Sequence, residues 1–141
     1  MGTEELPTTF HAHILVAEDN SINQMFIREL LKHFGCTCDI ANNGDRALVA
    51  IQQKSYDLIF MDCQMPEMDG FAATREIRRL EAVGGLPTRT CIIALTANAI
   101  KGDRERCLEA GMDNYLSKPL QATQLQAILA QYLGGRDTVP A

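Results

Sequence analysis

The chain has 141 residues, which suits one domain, because a chain of this length buries a single hydrophobic core. Its composition, 46% hydrophobic and 22% charged, is typical of a globular protein rather than a disordered or fibrous one. The net charge of -5 at pH 7 disfavours direct binding of nucleic acid, which needs clustered Lys and Arg. Five cysteines without a CxxC pair indicate thiols in a reducing compartment.

The chain also lacks the patterns of membrane targeting. Residues 1–10 have no long apolar core of the kind found in signal peptides. No apolar run elsewhere approaches the ~20 residues needed to span a bilayer. We therefore expect a cytoplasmic domain that makes no membrane contact.

Short apolar runs alternate with longer amphipathic segments along the chain. The runs predict five strands, at residues 14–17, 38–41, 58–61, 91–95 and 115–116. Hydrophobicity is continuous in the first, third and fourth runs, which indicates strands covered on both faces. Strand and helix alternate five times, so we predict an α/β fold with a central parallel sheet and right-handed crossovers. The folded domain is expected over residues 13–134, between tails at 1–12 and 135–141.

Helix patterns and capping residues agree with this alternation. Two stripes at helical spacing are expected to pack against the sheet, formed by Ile22, Met25, Phe26 and Leu30 and by Leu125, Ile128, Leu129 and Leu133. Glycines that follow apolar helix ends suit left-handed caps at Gly35 and Gly111. Polar residues suit helix N-caps at Asn20 or Ser21, at Asp69 and at Asn98.

Charged and polar residues follow four of the predicted strands. Glu18 and Asp19 follow the first strand, Asp62 the third, Thr96 the fourth and Lys118 the fifth. In open α/β sheets, ligands bind beyond the carboxyl ends of the strands, near the point where the strand order reverses. We therefore expect these side chains to converge on one pocket.

Three of these residues are acidic, and together they predict a divalent metal site. Carboxylates brought together at low dielectric repel strongly unless a cation lies among them. Mg²⁺ prefers oxygen ligands and typically uses one or two carboxylates with water and substrate phosphate. Asp19 and Asp62 are the expected direct ligands, and Glu18 is expected to act through water. The alternative for Glu18 and Asp19 is an exposed acidic turn that caps the first helix.

Four motifs, in this order, resemble the response-regulator receiver domains of two-component systems. They are Glu18-Asp19-Asn20, Met61-Asp62-Cys63-Gln64-Met65-Pro66-Glu67-Met68-Asp69-Gly70, Leu95-Thr96-Ala97 and Ser117-Lys118-Pro119. The resemblance covers residues 13–133, and the combination is specific although each short motif alone would be common. It implies a flavodoxin-like, doubly wound (βα)5 fold with a five-stranded parallel sheet in the order 2-1-3-4-5.

The resemblance implies that Asp62 is the phosphoacceptor. It further implies that Asp19, Asp62 and the backbone carbonyl of Gln64 hold Mg²⁺, for which Mn²⁺ can substitute, with Glu18 bound through water. Gln64 and Asn98 flank the site and would tune the lifetime of the aspartyl phosphate.

The same resemblance implies how the phosphoryl group is bound and sensed. Lys118 would pair with a phosphoryl oxygen, Thr96 would donate its hydroxyl, and Ala97 would offer its backbone N–H. Phosphorylation adds roughly -1.5 to -2 charges, which can pull Thr96 inward. Tyr115 matches the family's aromatic switch and would rotate into the vacated space, altering a face formed by the fourth helix, fifth strand and fifth helix. The alternative is a Tyr that only packs at the surface.

The implied partner is a histidine kinase or a histidine phosphotransfer protein, whose phosphohistidine supplies the phosphoryl group. Residues 18–24 and 95–99 look most like receivers fused to hybrid histidine kinases. We therefore expect either the receiver of such a kinase, in the cytoplasmic portion of a membrane-bound sensor, or a free single-domain regulator. A monomer or weak dimer is expected, with no activity beyond self-catalysed phosphotransfer and autodephosphorylation.

Three other classes of function are alternatives to this one. An aspartate-nucleophile phosphatase also combines Mg²⁺ with an aspartyl phosphate, but it expects a D-x-D motif where this chain has Asp19-Asn20-Ser21. A flavin-binding electron carrier expects a hydroxyl-rich and glycine-rich phosphate loop at the same place. A phosphorylation-independent interaction module would use the pocket without chemistry.

Overall fold

A computed structural model of the protein describes residues 9–86, 88–97 and 101–134. Strands and helices alternate over these residues. The strands are β1 (His13–Ala17), β2 (Thr37–Ala41), β3 (Leu58–Asp62), β4 (Ile92–Thr96) and β5 (Asn114–Ser117). The helices are α1 (Ser21–His33), α2 (Gly44–Gln53), α3 (Gly70–Ala82), α4 (Lys101–Ala110) and α5 (Ala122–Leu133). The predicted N-cap Asn98 lies outside the described residues.

The strands form one parallel sheet in the order β2-β1-β3-β4-β5. β1 pairs with β2 on one side and with β3 on the other, so the strand order reverses beside β1. The carboxyl ends of all five strands therefore lie at one edge of the sheet. The predicted fold class and strand order are confirmed.

Both faces of the sheet are covered by helices. Ile14 and Val16 of β1 pack on the face that carries α1 and α5. Leu15 and Ala17 pack on the opposite face, which carries α2, α3 and α4. Successive side chains of a strand point to opposite faces, so a strand buried on both sides reads as a continuous apolar run. This is the reason that the central strands could be recognised in the sequence.

The two predicted helix stripes behave differently. In α5, all four stripe residues are buried, as predicted: Leu125, Ile128, Leu129 and Leu133. In α1 the prediction was wrong for the first turns, because Ile22, Met25 and Phe26 are 75%, 67% and 48% exposed. The helix packs against the sheet through Ile27 and Leu31, and the fourth stripe residue, Leu30, is half-buried against the same core.

Polar contacts explain the orientation of α1. Its first turns lie over the carboxyl edge of the sheet, where the strands end in polar residues. Gln24 takes an inward position there, and its Nε2 donates hydrogen bonds to the Glu18 carbonyl at 2.6 Å and to Asn42 Oδ1 at 2.9 Å. Apolar side chains in the same turns therefore face away from the sheet.

Most of the predicted caps are observed. Asn20 Oδ1 accepts hydrogen bonds from the backbone N–H groups of Ile22 and Asn23 at 2.9 and 3.0 Å, and so caps α1. Asp69 caps α3 through one hydrogen bond, which its Oδ1 accepts from the Ala72 N–H. Gly35 and Gly111 adopt φ values of 81° and 105°, the left-handed conformation predicted for them.

The packed part of the chain begins before the expected boundary at His13. Phe10 is 1% exposed, and its backbone N–H donates to the Phe34 carbonyl at 2.9 Å. Ala12 is also buried. Both residues lie in the segment predicted to be a tail, yet the Phe10 ring packs against the Phe34 ring and anchors it. Among the described helices, none is long and apolar enough to cross a membrane.

Candidate functional site

The carboxyl edge of the sheet opens into a cavity of about 280 Å³. All five side chains predicted to converge line this site cavity: Glu18, Asp19, Asp62, Thr96 and Lys118. The acidic pair follows β1, Asp62 and Thr96 end β3 and β4, and Lys118 follows β5. The parallel sheet therefore brings residues from distant parts of the sequence to one place.

A close contact between α3 and β3 fixes the position of Asp62. A Cβ atom added at Gly70 would lie 2.1 Å from the Asp62 carbonyl oxygen, so any other residue would push the helix away. The Gly70 N–H also donates to the Cys63 carbonyl at 3.2 Å. Asp69 Oδ1 accepts from the Ala72 N–H at 2.8 Å, which starts the helix at this point. The sequence Asp69-Gly70 thus holds the end of β3 against the first turn of α3.

Lys118 joins two buried carboxylates. Its Nζ lies 2.9 Å from Asp62 Oδ2 and 3.0 Å from Glu18 Oε1. Asp62 and Glu18 are 4% and 1% exposed. Burial opposes the charged form of Lys118, but the hydrogen bonds with Asp62 and Glu18 outweigh it and raise the pKa of the lysine. Lys118 therefore stays a cation within the acidic cluster.

The three carboxylates form a group that can hold a metal ion. One oxygen atom from each of Glu18, Asp19 and Asp62 lies within 4.8 Å of the others. Asp19 is exposed while the other two are buried, so the group is open to solvent on one side. With Lys118 and Arg106, the cavity lining carries three acidic and two basic side chains. A hard oxygen donor set with more acids than bases fits Mg²⁺ or Mn²⁺.

The other predicted site residues are only partly placed. Gln64 and Ala97 both line the site cavity and are exposed. The Gln64 N–H donates to Asp62 Oδ1 at 3.2 Å, so this loop residue already contacts the carboxylate. Asn98, predicted to flank the site, lies outside the described residues.

Tyr115 does not line the site cavity. It lies in β5 beside Ala94 of β4, one strand position before the register pair of Leu95 and Leu116. The side chain is half-buried, and the guanidinium carbon of Arg104 lies 5.9 Å from its ring centroid. The Tyr115 ring thus joins β5 to α4 at the surface of the molecule.

Sequence reasoning missed several residues of the lining, of which Arg106 is the most notable. The Arg106 guanidinium carbon lies 4.4 Å from the centroid of the Phe71 ring, a cation–π contact that holds the arginine at the cavity. α4 carries charged residues in most of its turns and has no clear apolar stripe. No signal in the sequence therefore shows which of its arginines faces the site.

An exposed apolar surface lies beside the site cavity. It consists of Ile22, Met25 and Phe26, and we call it the α1 patch. Asn23 on the same helix lines the site cavity, and Phe26 lines a second cavity of about 60 Å³ that also borders Lys118. The α1 patch therefore borders the site through Phe26.

Known proteins resemble this chain in sequence and in fold. The model of the response regulator receiver domain family matches residues 14–130, and the chain belongs to that family. It is therefore a receiver domain of two-component or phosphorelay signalling. Hybrid signal transduction histidine kinase L of Dictyostelium discoideum is 42% identical over 132 residues, which is 92% of this chain and 8% of that protein. The chain thus spans a small part of this curated relative.

Two solved structures extend the comparison. The receiver domain of sensor histidine kinase PA1611 from Pseudomonas aeruginosa, crystallised with a magnesium ion in its active-site cleft, is 45% identical. It matches with a TM-score of 0.78 over 87% of this chain and 98% of that one. The Saccharomyces cerevisiae co-crystal structure of the phosphotransfer protein Ypd1 with the Ssk1 receiver domain matches with 29% identity and a TM-score of 0.82. That match covers 92% of this chain and 91% of the other.

Proposed function

We propose that this domain takes a phosphoryl group from a phosphohistidine onto Asp62, with Mg²⁺ bound at the acidic cluster. The observation that carries the proposal is the buried Asp62 carboxylate, which contacts Lys118 Nζ at 2.9 Å and belongs to a carboxylate group open to solvent. Phosphoryl transfer depends on positioning and charge stabilisation more than on covalent help from the protein. This site offers both.

Asp62, Lys118, Thr96 and Ala97 each have a role in the proposed transfer. A carboxylate oxygen of Asp62 forms the new bond to phosphorus as the bond between phosphorus and the donor imidazole breaks. The imidazole nitrogen keeps the electron pair of that bond. Lys118 and the Thr96 hydroxyl bind phosphoryl oxygens, and the Ala97 N–H binds a third. Lys118 and Ala97 line the cavity before the donor arrives, so these two groups need little reorganisation.

The acidic cluster would hold the metal ion. Asp19, Asp62 and the backbone carbonyl of Gln64 are the proposed direct ligands, and Glu18 is proposed to act through water. When bound, the ion neutralises part of the charge of the phosphoryl group and of the carboxylates. The solvent-exposed position of Asp19 leaves room for the waters that Mg²⁺ retains.

A phosphorylation assay tests the acceptor and the metal together. The purified domain is incubated with a small-molecule phosphodonor, with and without Mg²⁺, and its intact mass is followed. We expect a metal-dependent, base-labile gain of one phosphoryl group that Asp62→Asn abolishes. Asp45→Asn, an exposed acid in the first turn of α2, serves as the matched control and should behave like wild type. A gain that persists in Asp62→Asn would refute the acceptor assignment.

The donor is proposed to be a histidine kinase or histidine phosphotransfer protein that docks on the α1 patch. Asp62 is buried at the base of the site cavity, so a donor histidine reaches it only if the donor protein seats at the rim. The exposed apolar side chains of the α1 patch supply such a seat. The co-crystal of a receiver domain with a phosphotransfer protein supports this class of partner.

Two substitutions separate docking from chemistry. Phe26, on α1 beside the cavity, is 48% exposed. Val49, on α2, is 46% exposed and serves as the control. Phe26→Glu should slow transfer from a phosphorylated protein donor by roughly tenfold or more, since a charge placed in an apolar contact is poorly solvated. Val49→Glu should not. Both variants should accept phosphate normally from a small-molecule donor, and equal loss from the two donors would argue against docking at this patch.

The proposed output depends on Thr96 and Tyr115. Phosphorylation would draw the Thr96 hydroxyl toward the new anion, and the Tyr115 ring would move inward from its contact with Arg104. The surface formed by α4, β5 and α5 would then differ between the two states. Hydrogen exchange in α4 and β5, measured with and without a phosphoryl mimic, should change in wild type and not in Tyr115→Ala.

The parent protein is proposed to be a hybrid histidine kinase. The chain aligns with only 8% of the length of the hybrid signal transduction histidine kinase from Dictyostelium, which supports this proposal. In such a protein this domain would lie in the cytoplasmic portion of a sensor. Its proposed oligomeric state is a monomer or weak dimer, which sedimentation of the purified domain would test.

A further inference from the structure

Two cysteines meet beside the phosphoacceptor. Cys63 directly follows Asp62 at the end of β3, and Cys107 lies in α4, 44 positions further along the chain. Their Sγ atoms are 3.8 Å apart, and the residues are 5% and 1% exposed. Both carry reduced thiols. Both residues belong to one hydrophobic cluster, and within it their sulfur atoms contact each other.

A small oxidant has access to one of the two thiols. Cys63 lines the site cavity, which is open to solvent, whereas Cys107 lies behind it in the core between the sheet and α4. Arg106, next to Cys107 in the chain, lines the same cavity. In this arrangement an oxidant in the cavity can react with Cys63, and Cys107 is close enough to resolve the product as a disulfide.

We propose that Cys63 and Cys107 form an intramolecular disulfide on oxidation by a peroxide. The Cys63 thiolate attacks one peroxide oxygen, the oxygen–oxygen bond breaks, and Cys63 becomes a sulfenic acid. The Cys107 thiolate then attacks the Cys63 sulfur, and the hydroxyl group leaves as water. In total, two thiols lose two electrons and two protons, and hydrogen peroxide is reduced to two waters.

The disulfide would restrict the domain at the point where the site meets α4. Bond formation brings the sulfur atoms from 3.8 Å to about 2.0 Å. The Cys63 backbone is fixed on both sides, because its N–H donates to Leu95 at 3.0 Å and its carbonyl accepts from Gly70 at 3.2 Å. The shift therefore falls largely on α4 and moves Arg106 relative to the cavity.

Oxidation is expected to slow phosphorylation, an effect that rests on the proposed function. Phosphoryl transfer is sensitive to displacements of about 1 Å, which can cost a factor of ten or more in rate. The cross-link also ties α4, part of the proposed output surface, to the residue after the phosphoacceptor. The oxidised domain would therefore accept phosphate poorly and transmit little to α4.

The test uses the whole chain in a background without its half-buried thiols, Cys38→Ser with Cys91→Ser, which prevents links between molecules. Hydrogen peroxide should lower the intact mass by two hydrogen atoms, and peptide mapping should join Cys63 to Cys107. Phosphorylation by a small-molecule donor should slow roughly tenfold or more. Dithiothreitol should restore both the mass and the rate. Cys107→Ala and Cys107→Ser in the same background should gain oxygen on Cys63 instead of losing two hydrogen atoms, and peptide mapping should find no link to Cys63.

Three outcomes would overturn the proposal: an unchanged mass after peroxide, a link between other cysteines, or a Cys63–Cys107 link that leaves the phosphorylation rate unchanged. The mass and the mapping decide disulfide formation without any phosphorylation. A reduced protein that accepts no phosphate in the presence of Mg²⁺ would instead count against the proposed function, so the two failures can be told apart.

Discussion

Replacing Lys118 with Met removes the cation that two buried carboxylates share. Lys118 Nζ lies 2.9 Å from Asp62 and 3.0 Å from Glu18, whose side chains are 6% and 2% exposed. Loss of one partner of a buried ion pair costs about 3–5 kcal/mol, because the remaining charge is left without compensation. The lysine side chain itself is 23% exposed, so water reaches the group in part. We therefore expect a loss of about 3 kcal/mol in the free energy of unfolding.

The assay is urea unfolding in metal-free buffer at pH 7. Lys54→Met is the matched control, because Lys54 Nζ lies 3.2 Å from Asp39 but its side chain is 60% exposed. Exposed ion pairs contribute about 0–1 kcal/mol, so this variant should unfold almost like wild type. Saturating Mg²⁺ should stabilise Lys118→Met more than wild type, since the ion replaces the missing positive charge. Equal losses for the two variants would refute the electrostatic account of the site.

The remaining predictions concern one hydrogen bond, two thiols and one glycine. Tyr56 OH donates to Asp39 Oδ2 at 2.7 Å and lowers the pKa of Asp39; Tyr56→Phe should cost about 1 kcal/mol of unfolding free energy at pH 7. Because the pKa of Asp39 is lower in the folded than in the unfolded state, the stabilisation is present above the unfolded pKa and is lost as the pH falls through the folded pKa. Urea unfolding should therefore show the difference between wild type and Tyr56→Phe shrinking below about pH 4. Burial raises the pKa of Cys36 to about 11 and of Cys91 to about 12, so mass spectrometry should show both alkylating far more slowly at pH 8 than a peptide thiol. Gly70→Ala places a Cβ 2.1 Å from a carbonyl oxygen and should cost about 1–3 kcal/mol in urea unfolding.

The convergence of the site could be predicted because it depends on topology. Parallel strands place their carboxyl ends at one edge, so Asp62, Thr96 and Lys118 meet whatever the details of packing. Caps such as Asn20 were also predictable, because each depends on a few neighbouring residues.

Features that depend on three-dimensional packing could not be predicted. The α1 pattern predicted that Ile22, Met25 and Phe26 face the sheet, but all three are exposed. The prediction was wrong because the sequence does not show that this part of the helix lies over a polar edge. The role of Arg106 in the cavity lining depends on the rotation of α4, a helix without an apolar stripe to fix it. The burial of Phe10 could not be predicted either, because one isolated aromatic residue forms no periodic pattern.

The contact between Cys63 and Cys107 also depends on three-dimensional packing. The two residues lie 44 positions apart and share no motif. Their contact arises only when α4 packs against the end of β3. The structure shows this pair, but the positions of the two cysteines in the sequence do not predict it. The acidic cluster, in contrast, could be inferred from the residues that follow the predicted strands.

Transfer from a phosphohistidine tests the central claim most directly. A histidine phosphotransfer domain carrying labelled phosphate is mixed with the wild-type chain, Asp62→Asn and the control Asp45→Asn, and the label is located by peptide mapping. The account predicts rapid, Mg²⁺-dependent and base-labile label on the peptide that contains Asp62, in wild type and Asp45→Asn only. Label on another residue, or equal labelling of Asp62→Asn, would contradict it.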